Sequence, residues 1–170
     1  MSAEHDFQRL YDEHAQALFA FLLNFTRDEN DTRDLLQQIF VRLAREPDLL
    51  RGARQERAFL TRLAHNAAID LLRRRGTRVK YHERFGAELI PTFAPAGDPD
   101  EQAFRQALSD ALGELPAEQR AVAHLKLWEG LTFEQIAEAL DIPPNTAASR
   151  YRYGLDKLRE RLRPLYDEIK

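Results

Sequence analysis

Between Thr132 and Leu158 the chain reads T-F-E-Q-I-A-E-A-L-D-I-P-P-N-T-A-A-S-R-Y-R-Y-G-L-D-K-L, and no other stretch limits the fold as tightly. Thr132 can cap a helix, and Gln135, three residues on, can reach back to complete a capping box. Phe133, Ile136, Ala137 and Leu140 then form a single apolar stripe at i, i+3, i+4 and i+7. Asp141-Ile142-Pro143-Pro144 must stop that helix, because the two prolines remove two backbone donors and push each preceding residue away from helical angles. Pro144 suits the first turn of a new helix, where its missing N–H has no partner to lose. On this second helix Ala147, Tyr151, Gly154, Leu155 and Leu158 share one face, and Asn145, Thr146, Ser149, Arg152 and Tyr153 share the other. Short hydrogen-bonding side chains beside an arginine are what a helix in the DNA major groove presents to base edges and phosphates. A pair of antiparallel helices with a solvated outer face carries the same pattern, so the remainder of the chain has to decide.

The remainder is helical in its periodicity. Phe7, Leu10, Tyr11, Ala15, Leu18, Phe19 and Leu22 repeat at three and four, predicting a helix over Phe7–Phe25. A second helix is expected to open at Asp31 or Thr32 and to end near Glu46, before Pro47, with Leu35, Leu36, Ile39, Phe40 and Leu43 inward. Leu49–Gln55 reads as a loop and Glu56–Arg75 as a third helix, which closes on Arg73-Arg74-Arg75-Gly76 with cations at the negative end of the dipole. From Tyr81 to Asp100 the pattern dissolves among Gly86, Pro91, Pro95, Gly97 and Pro99, marking a connector. Periodicity resumes at Phe104, and Pro116 starts a further helix before the helix-turn-helix. No strand pattern occurs. The expected architecture is all-α: two small helical domains, residues 1–80 and 104–170, joined by a flexible linker over 81–103.

Charge supports a localised nucleic-acid surface. The net charge is −3, which argues against indiscriminate coating of nucleic acid. Residues 51–84 nevertheless carry 10 basic and 3 acidic side chains, against 5 and 10 in residues 1–50 and 2 and 7 in residues 85–120. There is no cysteine, which excludes disulfides and thiolate metal sites and fits a reducing compartment. The N-terminus has no apolar run, and nowhere do about 18 apolar residues follow one another, so no membrane insertion and a cytoplasmic location are expected. The five histidines stand at no zinc-ligand spacing, and neither a phosphate-cradling loop nor a nucleophile elbow is present. No catalytic residue, metal or cofactor is expected, and binding rather than bond chemistry is the predicted activity.

Three segments in order then carry a resemblance. Asp31-Thr-Arg-Asp34-Leu-Leu-Gln37-Gln38-Ile-Phe40 is similar to a D-x-x-D-L-x-Q-E-x-F helix. Phe59-Leu-Thr-Arg62-Leu-Ala-His-Asn66-Ala-Ala-Ile-Asp70-Leu-Leu-Arg73-Arg74-Arg75 is similar to W-L-x-R-I-A-x-N-x-x-x-D-x-x-R-R. Leu112-Gly-Glu-Leu115-Pro116-Ala-Glu-Gln-Arg120, followed by the helix-turn-helix, is the third. Together they resemble the extracytoplasmic-function group of bacterial RNA polymerase sigma factors over nearly the whole chain.

The resemblance implies a role for each segment. Asp34, Gln37, Gln38 and Arg42 would face core RNA polymerase. Arg62, Asn66, Arg73, Arg74 and Arg75 would meet the downstream promoter element as single-stranded DNA, with Leu49–Gln55 walling in an unstacked base. Asn145, Thr146, Ser149, Arg150, Arg152 and Tyr153 would read the upstream element, and the acidic connector (Asp98, Asp100, Glu101) would thread toward the polymerase channels. Promoter DNA and core polymerase are the implied partners, with an anti-sigma factor as restraint. Three residues depart from the family pattern: Gln38 stands for an acid, Phe59 for a tryptophan, and Ala148 where relatives often carry a basic residue. A stand-alone helix-turn-helix regulator, dimeric on a two-fold site, is the competing expectation.

Overall fold

The structure, a computed structural model, describes residues 3–75 and 99–169, and the regular elements among them are all helical. The expected connector over Tyr81–Asp98 falls outside the described residues. Seven α-helices follow in order: α1 Ala3–Thr26, α2 Glu29–Arg45, α3 Glu56–Arg75, α4 Pro99–Glu114, α5 Ala117–Leu127, α6 Phe133–Leu140 and α7 Pro144–Ile169, with a 3-10 turn at Pro47–Leu50 between α2 and α3.

Two starts differ from the sequence expectation. Helix α2 opens at Glu29 because Asp28, in extended conformation, caps it by accepting the Asp31 N–H at 2.9 Å; Asp31 is therefore inside the first turn, where a carboxylate favours the positive end of the dipole. Helix α4 opens at Pro99, so residues 99–103 are helix rather than connector. Proline fits a first helical position, and Glu101 suits a first turn. Glu101 accepts from Arg105 one turn on at 2.8 Å, and a channel-threading role for Asp100 and Glu101 as extended chain is not their local structure.

Helices α1, α2 and α3 pack mutually, and α4, α5 and α6 assemble on α7. The halves are docked: α1 meets α5 and α3 meets α6. Leu22, Phe25, Leu60 and Ala64 from the first half and Val122, Leu125, Ile136 and Ala147 from the second belong to one apolar core. Each fully buried Leu, Ile or Phe is worth roughly 1.5–3 kcal/mol, so the shared portion is a substantial interface.

The seam between α1 and α5 is polar as well as apolar. The last carbonyls of α1 lack intrahelical donors and need partners. Arg120 supplies them: Nη1 donates to Phe25 O (2.6 Å) and Asn24 O (3.2 Å), while Nε and Nη2 donate to Leu112 O and Leu115 O, both at 2.9 Å. Burial, with Arg27 nearby, pushes the Arg120 guanidinium down to about 10. Arg27 sits in the left-handed region (φ 62) and its Nη2 donates to Ser109 O at 2.7 Å and Ser109 Oγ at 3.0 Å. A Cβ on Gly113 would meet Arg27 Nη2 at 3.1 Å, which accounts for a glycine within α4 despite its helical cost. Asn24 Nδ2 and His124 Nδ1 stand 2.6 Å apart, and the His124 ring stacks on Trp128.

Candidate nucleic-acid interface

The helix-turn-helix forms as its sequence dictates. Thr132 and Gln135 make both bonds of the capping box, at 3.1 and 2.9 Å. Asp141 takes the left-handed conformation (φ 55) that ends α6, and Pro143 O accepts from Thr146 N and Ala147 N to begin α7. Gly130 has φ +64, the turn that lets Leu131 drop into the core before α6. Ala147, Gly154 and Leu158 are buried and fix the rotation of α7. Asn145, Arg152 and Tyr153 are thereby exposed, with Thr146 and Ser149 half-buried beside them. The Arg152 guanidinium rests over the Tyr153 ring at 5.3 Å, a contact that limits the freedom of both side chains.

Arg150 departs from this group. Two residues before Arg152 on a helix, it points elsewhere: it is half-buried and pairs with Glu118 of α5 at 3.3 Å.

On α3, Arg62, Asn66 and Arg73 follow one another at i, i+4 and i+11, one helical face. Asn66, Arg73 and Arg74 are exposed. Arg74 Nε also reaches Asp70 O at 3.4 Å, a weak contact. Two of the expected cations are committed elsewhere. Arg75 donates to both carboxylate oxygens of Asp31 on α2, which raises its already high pKa. Arg62 Nη2 donates to the backbone carbonyl of Glu138 on α6. Beside Arg62 a cavity of about 310 Å³ opens among Ala53, Arg54, Gln55 and Phe59, with Glu138 as the contribution of α6. Residues 52–55 of the Leu49–Gln55 loop border this cavity. Glu138 was not legible as a neighbour, since it is 76 positions from Arg62.

Buried His65, packed edge-on to Phe25 at 5.4 Å, lies one residue before Asn66. Burial first, and Arg150 second, push its pKa down, with Glu118 and Asn66 acting the other way.

The polymerase-facing candidates Asp34, Gln37, Gln38 and Arg42 are all exposed on α2. Gln37 borders an apolar groove of about 380 Å³ with Phe7, Tyr11, Leu36, Phe40 and Val41. Tyr11 and Val41 are 46% and 41% exposed, so an apolar strip adjoins the polar row. Glu13, His14 and Glu56 bring metal-ligating atoms together, but Arg9 already donates to both Glu56 oxygens at 3.1 and 3.0 Å, and His14 meets Glu56 at 2.7 Å. This cluster ties α1 to α3. No described helix is long and apolar enough to cross a membrane.

The Sigma-70 region 2 family model matches residues 10–78, and the Sigma-70 region 4 model matches residues 105–158. The chain is 32% identical to ECF RNA polymerase sigma factor SigL of Mycobacterium tuberculosis, over 92% of this chain and 88% of that one. It is 29% identical to ECF RNA polymerase sigma factor SigX of Bacillus subtilis, over 98% and 88%. RNA polymerase sigma factor CarQ of Myxococcus xanthus is 31% identical over 98% and 95%. Among solved structures, the sigma factor RpoE of Bartonella quintana, crystallised with the anti-sigma factor NepR, shares the fold with a TM-score of 0.74 at 24% identity, covering 93% of this chain and 97% of that one. Two matched regions in the family's order, and a relative above 30% identity along nearly the full length, lead to one conclusion: the chain belongs to the ECF family of RNA polymerase sigma factors.

Proposed function

We propose that this sigma factor grips a promoter at two points, α3 reading the downstream element as single strands and α7 reading the upstream element as duplex, while α2 docks on core RNA polymerase. The observation that carries the reading is the pair of separate polar faces, Asn66-Arg73-Arg74 on α3 and Asn145-Arg152-Tyr153 on α7, one in each matched region. Asn66 offers a donor and an acceptor to a base edge; Arg73 and Arg74 track phosphates, and Arg62 and Arg75 join them once released from Glu138 and Asp31. On α7, Asn145, Thr146 and Ser149 supply short hydrogen-bonding groups at the N-terminal end, Arg152 the fork suited to guanine or phosphate, and Arg150 a flanking charge. Asp34, Gln37, Gln38 and Arg42, with the apolar strip of Tyr11 and Val41 beside them, make the polymerase surface. The chain works in the cytoplasm by binding alone, without catalysis, and an anti-sigma factor restrains it.

Run-off transcription with purified core polymerase and a library of promoter fragments tests this. Initiation from a defined subset of fragments is expected. Tight binding to a palindromic duplex with no change in core initiation is the opposite result, and belongs to a stand-alone regulator.

A further inference from the structure

Ala148 is half-buried on α7 and stands between Asn145 and Arg152 in the chain. At about 100° per residue, Asn145 and Arg152 fall within about 20° of each other around the helix. Ala148 lies about 60° to one side of Asn145, and Ser149 about 40° to the other. The face therefore has a polar edge, Ser149 with Thr146 and Tyr153 beyond it, and an apolar edge at Ala148. Its cation is settled by the neighbours. Arg150 is turned away to Glu118 at 3.3 Å, Asp156 lies 3.9 Å from Arg159, and Arg152 rests over the Tyr153 ring at 5.3 Å, one turn from Ala148. Asn145 and Arg152 are seven residues apart, about 10.5 Å along the axis, or about three base-pair steps of ~3.4 Å. A recognition helix meets neighbouring base pairs with residues about one turn apart, so Ala148 comes between the pair addressed by Asn145 and the pair addressed by Arg152.

A methyl side chain has no hydrogen bond to offer. The apolar group that a base edge presents in the major groove is the 5-methyl of thymine, and alanine is a side chain suited to it. Any other base at that point sets an amino or carbonyl group against the alanine, with water excluded and no partner supplied. We infer that Ala148 is a specificity-determining residue: it selects an A·T pair in the upstream element, through the 5-methyl of its thymine, between the base pairs met by Asn145 and Arg152. The inference rests on the upstream-element reading of α7.

Holoenzyme assembled from this chain and purified core RNA polymerase is selected on a duplex promoter library randomised across the upstream segment. Asn145→Ala and Arg152→Ala are selected in parallel, and each marks its own base pair by relaxing the preference there. A thymine, on either strand, is expected between the two marked positions. Replacing it with deoxyuridine removes the methyl and keeps the pairing groups, and should weaken binding by the natural chain about 4-fold, the effect of one buried methyl-sized group. Ala148→Gly should bind the thymine and deoxyuridine duplexes equally; each variant is compared with itself, so the helical cost of glycine cancels. Ala148→Gln, a good helix former, should lose the preference for thymine at that position. A preferred element without thymine there, a natural chain indifferent to the methyl, or an Ala148→Gly protein that still discriminates overturns the inference and leaves the reading of α7 standing. Selection of no upstream sequence, or of one that neither Asn145→Ala nor Arg152→Ala relaxes, overturns the reading of α7 and the inference with it.

Discussion

Replacing Arg120 with methionine, which keeps length and removes the charged fork, tests the energetics of the seam. Arg120 donates four hydrogen bonds, two to the end of α1 and two to the α4–α5 turn. Bonds from a charged donor contribute roughly 1.5–3 kcal/mol each, so even the lower figure gives about 6 kcal/mol for the set. Against this stands the cost of burying the ion. The fall of its pKa to about 10, caused by burial and by Arg27, corresponds to about 3 kcal/mol. The balance is a loss of about 3–5 kcal/mol in Arg120→Met, because four buried carbonyls are left without donors. Arg120→Lys keeps the charge but not the planar fork, and should lose roughly half as much. Urea unfolding provides the assay, followed by far-UV circular dichroism for all helices and by Trp128 fluorescence for the seam, where that indole stacks on His124. A change of under about 0.5 kcal/mol in Arg120→Met would refute the reasoning, since it would mean that water replaces the fork at no cost.

Three further outcomes are expected. The folded protein holds His65 with a pKa below its unfolded value, so the unfolded chain binds more protons on acidification. Stability is therefore present above the ordinary imidazole range and falls as pH drops through it; thermal melts between about pH 7.5 and 5.5 should show this slope, and His65→Gln should flatten it. Thr132→Ala removes the side-chain half of the capping box and should cost about 1 kcal/mol by urea unfolding, with Thr132→Ser restoring most of it. Arg152→Ala should weaken binding of the holoenzyme to the upstream element by ~1–3 kcal/mol if the side chain reads a base. If it meets only phosphate, the loss is uniform across sequences and the salt slope falls by about one; an unchanged affinity and slope removes Arg152 from the interface.

The helical frame was legible because its signals are local. Glu56–Arg75 was delimited by an apolar repeat and an arginine run, and Thr132, Gln135 and the two prolines marked the helix-turn-helix at the residues where the structure has it. Helix starts with several competing caps were less so. Asp28, Asn30, Asp31 and Thr32 can all cap, and the structure uses Asp28, directly after the left-handed turn at Arg27, whose side chain bonds Ser109 far along the chain. Apolar periodicity identifies which face is buried and not what buries it. Phe25 and Leu60 announced a core, but not that Val122 and Ile136 share it.

Polar residues hide their partners still more completely. Arg27, Arg57, Arg62 and Arg120 have the same chemistry as Arg73, Arg74 and Arg152, yet the first four bridge the halves while the last three are exposed. Arg150 and Arg152, two positions apart, differ within the second half, because a rotation of about 200° carries one toward Glu118 of α5 and leaves the other facing out.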